Sequence, residues 1–326
     1  MRPATLTRIL HSRGVAAVAS LLTVAAAVYY YVSRGAGGIL ADRGFALPSA
    51  NEWIPEGWVN FLSAMAVNAL VVVMAALMNK VYNILRSMTG LYITLFAFMQ
   101  AATPGFFTQF YTGPVLALAV AVGLYLLFGC YRSTQASWSV FIVFMMLSLL
   151  TATQYCFGLF MPAFLICCAQ MRIFNGRTLV AAFLGTLTPW WILLGFGIVT
   201  PQTLHVPDFR SIFAELDPGD MLWTLISAGF TGLLLVLSII LNVFKTIAYN
   251  ARSRAVNGAI TVTALFAIVG ACADFSNIPA YIPLLNFCAA IQTAHYFSTH
   301  RADRSCFAIL AVIAVYVTLY LCQTVI

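Results

Sequence analysis

Charge is what this sequence has least of. Asp, Glu, Lys and Arg together make up 8% of its 326 residues, against about 25% in an ordinary soluble domain. A water-soluble chain of this length needs far more polar surface to cover its core, so the composition excludes one. Motifs are missing too. No Walker, Rossmann, zincin or G-x-S-x-G pattern occurs, and none names a cofactor. The eight cysteines, Cys130, Cys156, Cys167, Cys168, Cys272, Cys288, Cys306 and Cys322, include no C-x-x-C pair. All lie in or beside apolar stretches, where cysteine is a small packing residue. The adjacent Cys167 and Cys168 point to different faces of a helix and make a poor chelate. His11, His205, His295 and His300 are scattered, so no metal site follows from them.

What is present is apolar. Hydrophobic residues are 62% of the chain and aromatic residues 14%. A lipid bilayer covers such surface, and interfacial Trp and Tyr suit it. The formal net charge is +7. Its basic residues sit in short runs between apolar stretches, which fits orientation in a membrane and not nucleic-acid binding.

A spanning helix needs about 20 apolar residues. The sequence offers eleven stretches: 15–33, 58–78, 90–104, 114–131, 138–153, 155–171, 178–198, 220–242, 258–273, 282–299 and 306–323. Arg2, Arg8 and Arg13 before the first of these resemble the start of a signal peptide, with a weak cleavage pattern at Ala25-Ala26-Ala27. The run continues through Tyr29, Tyr30 and Tyr31, so it reads as an uncleaved first helix. The stretches 90–104, 138–153 and 155–171 are short and read as tilted, interfacial or re-entrant. The expected fold is an all-α, single-domain transmembrane bundle over residues 1–326, with about 11 spans.

Loop charge tests that count. With a cytoplasmic N-terminus and a periplasmic C-terminus, 13 of the 16 basic residues fall inside, and only Arg34, Arg43 and Arg210 fall outside. This is the bias of the positive-inside rule. An error in one span would invert every later loop, so the parity of the count rests on firmer ground than any boundary. The acids segregate oppositely: Asp42, Glu52, Glu56, Asp208, Glu215, Asp217, Asp220 and Asp274 fall outside, and Asp303 inside. The outer loops are then either simply solvated or hold an acidic site.

Two outer loops are long. In 34–57 the opening is Gly-rich, and Ser49 to Trp58 suggests a short interfacial helix or turn with Trp53 and Trp58 at headgroup depth. In 199–219, Asp208 to Glu215 could form an amphipathic surface helix striped by Phe209, Ile212 and Phe213, before a turn at Pro218-Gly219. A carboxylate there could act as a general base or hold a divalent cation against a lipid diphosphate. Asp42, Glu52 and Glu56 are the candidate catalytic acids. Arg43 and Arg210, with Asp208, are the candidate substrate-binding residues, since arginine pairs with phosphate oxygens.

The spans contain no clear Lys, Arg, Asp or Glu, which counts against an ion-coupled transporter. Their polar residues are Asn68, Gln100, Asn242, Asn286, Gln292 and His295, with interhelical hydrogen bonding as the ordinary explanation. His295, near the cytoplasmic end, reads as interfacial. Pro104, Pro114, Pro162, Pro189, Pro279 and Pro283 end or kink helices. Thr188-Pro189-Trp190-Trp191 falls midway along the seventh stretch.

The segment NKVYNILRSMTGLYITLFAFMQAATP, the region to LFGCYR, and ATQYCFGLFMPAFLICCAQMRIFNGRTLVAAFLGTLTPWW resemble an uncharacterised, DUF6427-like family of Bacteroidota inner-membrane proteins over roughly residues 58–200. That resemblance implies an inner-membrane location and no established activity. The layout is more loosely similar to GT-C membrane glycosyltransferases. These carry a catalytic acid in the first outer loop and transfer sugars from polyprenyl-linked donors. That likeness implies a role for Asp42, although Asp42-Arg43-Gly44 lacks the second acid of the family's pair.

Three functions remain open. An enzyme acting on lipid-linked glycans at the outer leaflet predicts an outward cavity holding Asp42 or Glu52. A small-molecule or lipid transporter predicts a central polar cavity lined by Asn68, Gln100, Asn242 or Asn286. A non-catalytic scaffold of an envelope complex predicts an exposed small-residue face. The bilayer is the partner common to all three, with a polyprenyl-linked or other lipid substrate for the first.

Overall fold

The computed structural model describes residues 12–35, 44–85, 88–200, 202, 204, 218–246, 250–299 and 305–325. All regular structure among them is helical. The elements are α1 (Arg13–Arg34), α2 (Trp58–Tyr82), α3 (Thr89–Ala101), the one-turn α4 (Pro104–Phe107), α5 (Thr112–Phe128), α6 (Ser137–Thr151), α7 (Phe160–Gln170), α8 (Gly176–Gly195), α9 (Pro218–Thr246), α10 (Ala251–Ala273), α11 (Ile278–Thr299) and α12 (Ser305–Val325). Each predicted apolar stretch coincides with one helix other than α4. Six of them, α1, α2, α8, α9, α10 and α12, are long and apolar enough to cross a bilayer. The chain is therefore an all-helical membrane protein.

The short α3, α5 and α7 and the 22-residue α11 lie inside, and the six long apolar helices lie largely outside. With 13 residues, α3 rises only about 20 Å, less than the ~30 Å hydrocarbon core. Such a helix is tolerated where protein surrounds its ends. Leu95 of α3, Val120 of α5, Phe164 of α7 and Phe287 of α11 are fully buried in one continuous core. The long helices turn Leu21, Leu62, Phe183, Phe244 and Phe307 outward. Large exposed apolar surface is a liability in water and ordinary against lipid. Between α6 and α8 the approach is close because Gly185 has no side chain: a Cβ there would lie 2.6 Å from the Phe141 carbonyl oxygen.

Hydrogen bonds between elements define two ends. At one, the Arg132 amide donates to the Met171 carbonyl at 3.1 Å, and His295 Nδ1 lies 3.1 Å from the Ile84 carbonyl. Lys80, Arg132, Arg172, Arg177, Arg252 and Arg254 belong to this basic end. At the other, Gln323 Nε2 donates to the Ala102 carbonyl at 2.8 Å, and the Thr112 amide donates to Asn51 Oδ1 at 3.2 Å. Glu52, Glu56 and Asp274 belong to this acidic end.

Local sequence explains the helix ends. Asn175 and Thr178 form a reciprocal capping box that starts α8. Asn250 Oδ1 accepts from the Ser253 amide at 2.9 Å and starts α10. Asn83, left-handed at φ 52°, closes α2. Pro104, Pro114, Pro162 and Pro279 stand in first turns, where a missing N–H costs nothing. Among the described residues only Pro189 and Pro283 lie inside helices.

Some boundaries differ from expectation. Pro218-Gly219 is the first turn of α9, not a turn before it. The helix α10 begins at Ala251, so Arg252 and Arg254 are helical and not in a loop. The expected interfacial element near Trp53 is a single 3-10 turn, Ala50–Glu52, with Trp53 and Trp58 about half exposed. The expected amphipathic helix from Asp208 to Glu215 lies outside the described residues.

Candidate functional site along the central helix

The sequence of α11, IPAYIPLLNFCAAIQTAHYFST, has no apolar face and no polar face, and residues 278–294 are all buried. A helix buried on every side needs no amphipathic stripe. Any polar side chain on it must find a partner among neighbouring helices. α11 carries such side chains at three levels.

At the acidic end, the buried Asp274 terminates α10. Its Oδ2 accepts from the Tyr155 hydroxyl at 2.7 Å and the Tyr281 hydroxyl at 3.4 Å. Asn277 Nδ2 donates to the Tyr155 oxygen at 3.5 Å. In the middle, Asn286 Nδ2 donates to Gln100 Oε1 at 2.9 Å, and Gln100 Nε2 donates to Asn68 Oδ1 at 2.7 Å. Asn68 Nδ2 completes the chain on the Ala64 carbonyl at 2.9 Å. These three amides tie α11, α3 and α2 together.

The third level lies six residues further on, about 9 Å along the axis. Here Asn242 Nδ2 of α9 donates to Gln292 Oε1 at 2.7 Å and to the Gln292 carbonyl at 2.8 Å. Gln292 Nε2 reaches Thr261 Oγ1 at 3.2 Å and Asn257 Oδ1 at 3.4 Å, both on α10. Ser238 and Thr293 hydroxyls share a 3.1 Å hydrogen bond beside them.

Below this level a cavity of about 480 Å³ opens at the basic end, bounded by Tyr82, Asn83, Asn250, Arg252, Asn257 and His295. The Arg252 guanidinium lies 5.8 Å from the Tyr82 ring centre, within cation–π reach. A carbonyl only accepts, so the 3.1 Å contact with Ile84 places a proton on His295 Nδ1. Asn257 belongs to both the cavity wall and the Gln292 layer. Among the described residues the cavity's lining is rich in hydrogen-bond donors and holds no carboxylate.

Of the residues expected from sequence, Asp42, Arg43, Asp208 and Arg210 lie outside the described residues. Glu52 closes the 3-10 turn and Glu56 precedes α2; both are exposed, and neither lines the basic-end cavity. Asn68, Gln100 and Asn286 come together in one layer, and Asn242 joins Gln292 in another. His295 lies on the cavity and not merely at the interface. Asp274, counted among the outer-loop acids, is buried. The missed signal was loop length: only residues 274–281 separate two apolar stretches, too few to hold a carboxylate away from the bundle. Arg252 and Asn257 escape the sequence pattern because the apolar run begins only at 258, while the helix begins at Ala251. Among the described residues no group of three His, Cys, Asp or Glu is arranged for a metal.

Comparison with protein-family models, curated proteins and solved structures finds no match for this chain. The roles of its residues therefore follow from geometry alone.

Proposed function

We propose that the chain crosses an inner membrane eleven times, with its basic end in the cytoplasm, and carries a small anionic solute along α11. The observation that carries this reading is Asn257. It lines the basic-end cavity and also contacts Gln292 of the buried amide layer. A cavity of about 480 Å³ falls within the range of small-molecule sites, ~300–1,000 Å³. Arg252, Asn83 and Ser253 on its wall favour an anion. The polar levels of α11 continue to Asp274, and a carboxylate within a bundle is suited to hold a coupling proton or cation. Pro283 lies inside the continuous α11 on this route and removes one of its internal hydrogen bonds.

Cysteine accessibility tests this without a known substrate. In a background lacking the native cysteines, Gln292→Cys and Asn286→Cys are introduced singly. The transport reading expects a charged, membrane-impermeant thiol reagent to label both from the aqueous phase at a measurable rate. If neither is labelled from either side, the amide layers are permanent crosslinks, and a scaffold role replaces transport.

A second reading, glycan transfer at the outer leaflet, has one observation in its favour. The amide of Phe45 donates to the Thr153 carbonyl at 3.2 Å, and those of Ala46 and Leu47 to the Ala152 carbonyl at 2.8 Å. The first loop is thus docked on the bundle just after Asp42 and Arg43 in sequence. An Asp42→Asn variant should then alter cell-surface glycans; unchanged glycans count against it.

A further inference from the structure

We infer that the wedge between α1, α2 and α3 holds one anionic phospholipid, with its phosphate on Lys80. α1 and α2 touch near the acidic end, where the Tyr31 ring centre lies 4.7 Å from Trp58 and 5.0 Å from Phe61. Toward the basic end a cavity of about 810 Å³ separates them, with α3 as its floor. It exists because the facing side chains are small: Ala17 on α1, Ala76 on α2 and Gly90 on α3. The apolar walls continue into outward-facing Leu21, Val73 and Leu77, so the wedge is open to the surrounding lipid.

The rim is polar. Lys80 and Asn83 line it together with Asn79. Asn79 is already committed, donating to Thr89 Oγ1 at 2.6 Å and accepting from the Leu85 amide at 2.5 Å. Lys80 is exposed in the last turn of α2. Glu52, Glu56 and Asp274 all belong to the opposite end, so no carboxylate among these neutralises it. An ammonium at the edge of the hydrocarbon, above a slot lined by alanine and glycine, matches a lipid phosphate with an acyl chain below it. A soluble anion would leave the apolar slot unfilled, and a zwitterionic lipid brings its own cation to the rim. Charge and shape therefore favour an anionic phospholipid.

Native mass spectrometry of the intact chain, released from bilayers of equal parts phosphatidylglycerol and phosphatidylcholine, tests this. One retained phosphatidylglycerol per chain is expected. Lys80→Gln should lower its retention about fivefold, as expected for losing roughly one lysine–lipid interaction, and Lys80→Arg should keep it. Ala76→Phe fills the slot and should abolish retention with the lysine intact, which keeps the test decisive if Lys80→Gln fails to fold. Millimolar inorganic phosphate should not displace the lipid. Equal retention of both lipids, unchanged retention in folded Lys80→Gln, or displacement by phosphate would overturn the assignment.

Discussion

The hydroxyl of Tyr111 donates to the carbonyl of Pro279 at 3.2 Å. In an uninterrupted α11 that carbonyl would take the N–H of residue 283, and Pro283 has none. A side chain from the start of α5 thus supplies what the proline removed. Tyr111→Phe should cost about 1–3 kcal/mol, the usual penalty for stranding a buried carbonyl. Pro283→Ala restores the internal donor, so the two substitutions together should cost clearly less than their sum. Unfolding of the four proteins in detergent gives the coupling; simple additivity would show that the tyrosine does not serve this carbonyl.

Gly185 predicts a steric limit. A methyl group 2.6 Å from the Phe141 carbonyl forces α6 and α8 apart, so Gly185→Ala should lower stability by about 1–3 kcal/mol, as overpacked sites do. Gly195, with open space around its Cβ position, is the control and should accept alanine without loss. A similar response at both positions would rule out a close helix contact.

Asp274 separates shape from charge. Asp274→Asn keeps an oxygen for the Tyr155 hydroxyl and should leave stability within about 1 kcal/mol. Asp274→Leu strands the Tyr155 and Tyr281 hydroxyls and should cost about 2–4 kcal/mol. On the transport reading, Asp274→Asn should also change the labelling rate of Asn286→Cys. Equal destabilisation by both substitutions would mean that the tyrosines do not use this acceptor.

The two ends should face different compartments. In the same cysteine-free background, Glu56→Cys should react with an impermeant reagent applied to intact cells, and Arg254→Cys only after the membrane is opened. The reverse pattern would invert the orientation, and labelling of both from outside would break the bundle's assignment as membrane-spanning.

The long outer helices such as α2 and α12 were legible because they are apolar along most of their length, a signal composition alone detects. The ends of α3 and α7 were less so, since short internal helices stop where neighbours satisfy their carbonyls, as Gln323 does for Ala102. Asn68, Gln100 and Asn286 stood out as polar residues in apolar stretches. Their union did not, because it joins residues 68, 100 and 286 through three helices. Asp274 was hidden by being counted as loop charge, a reading blind to how little chain connects α10 to α11.

The burial of α11 on all sides bears on how the chain is made. A segment with two internal or near-terminal prolines, Asn286, Gln292 and His295 gains little from dissolving alone in hydrocarbon. It leaves the ribosome after α10, and its amide partners on α2, α3, α9 and α10 are all synthesised before it. α11 therefore docks into a slot that these earlier helices have already shaped.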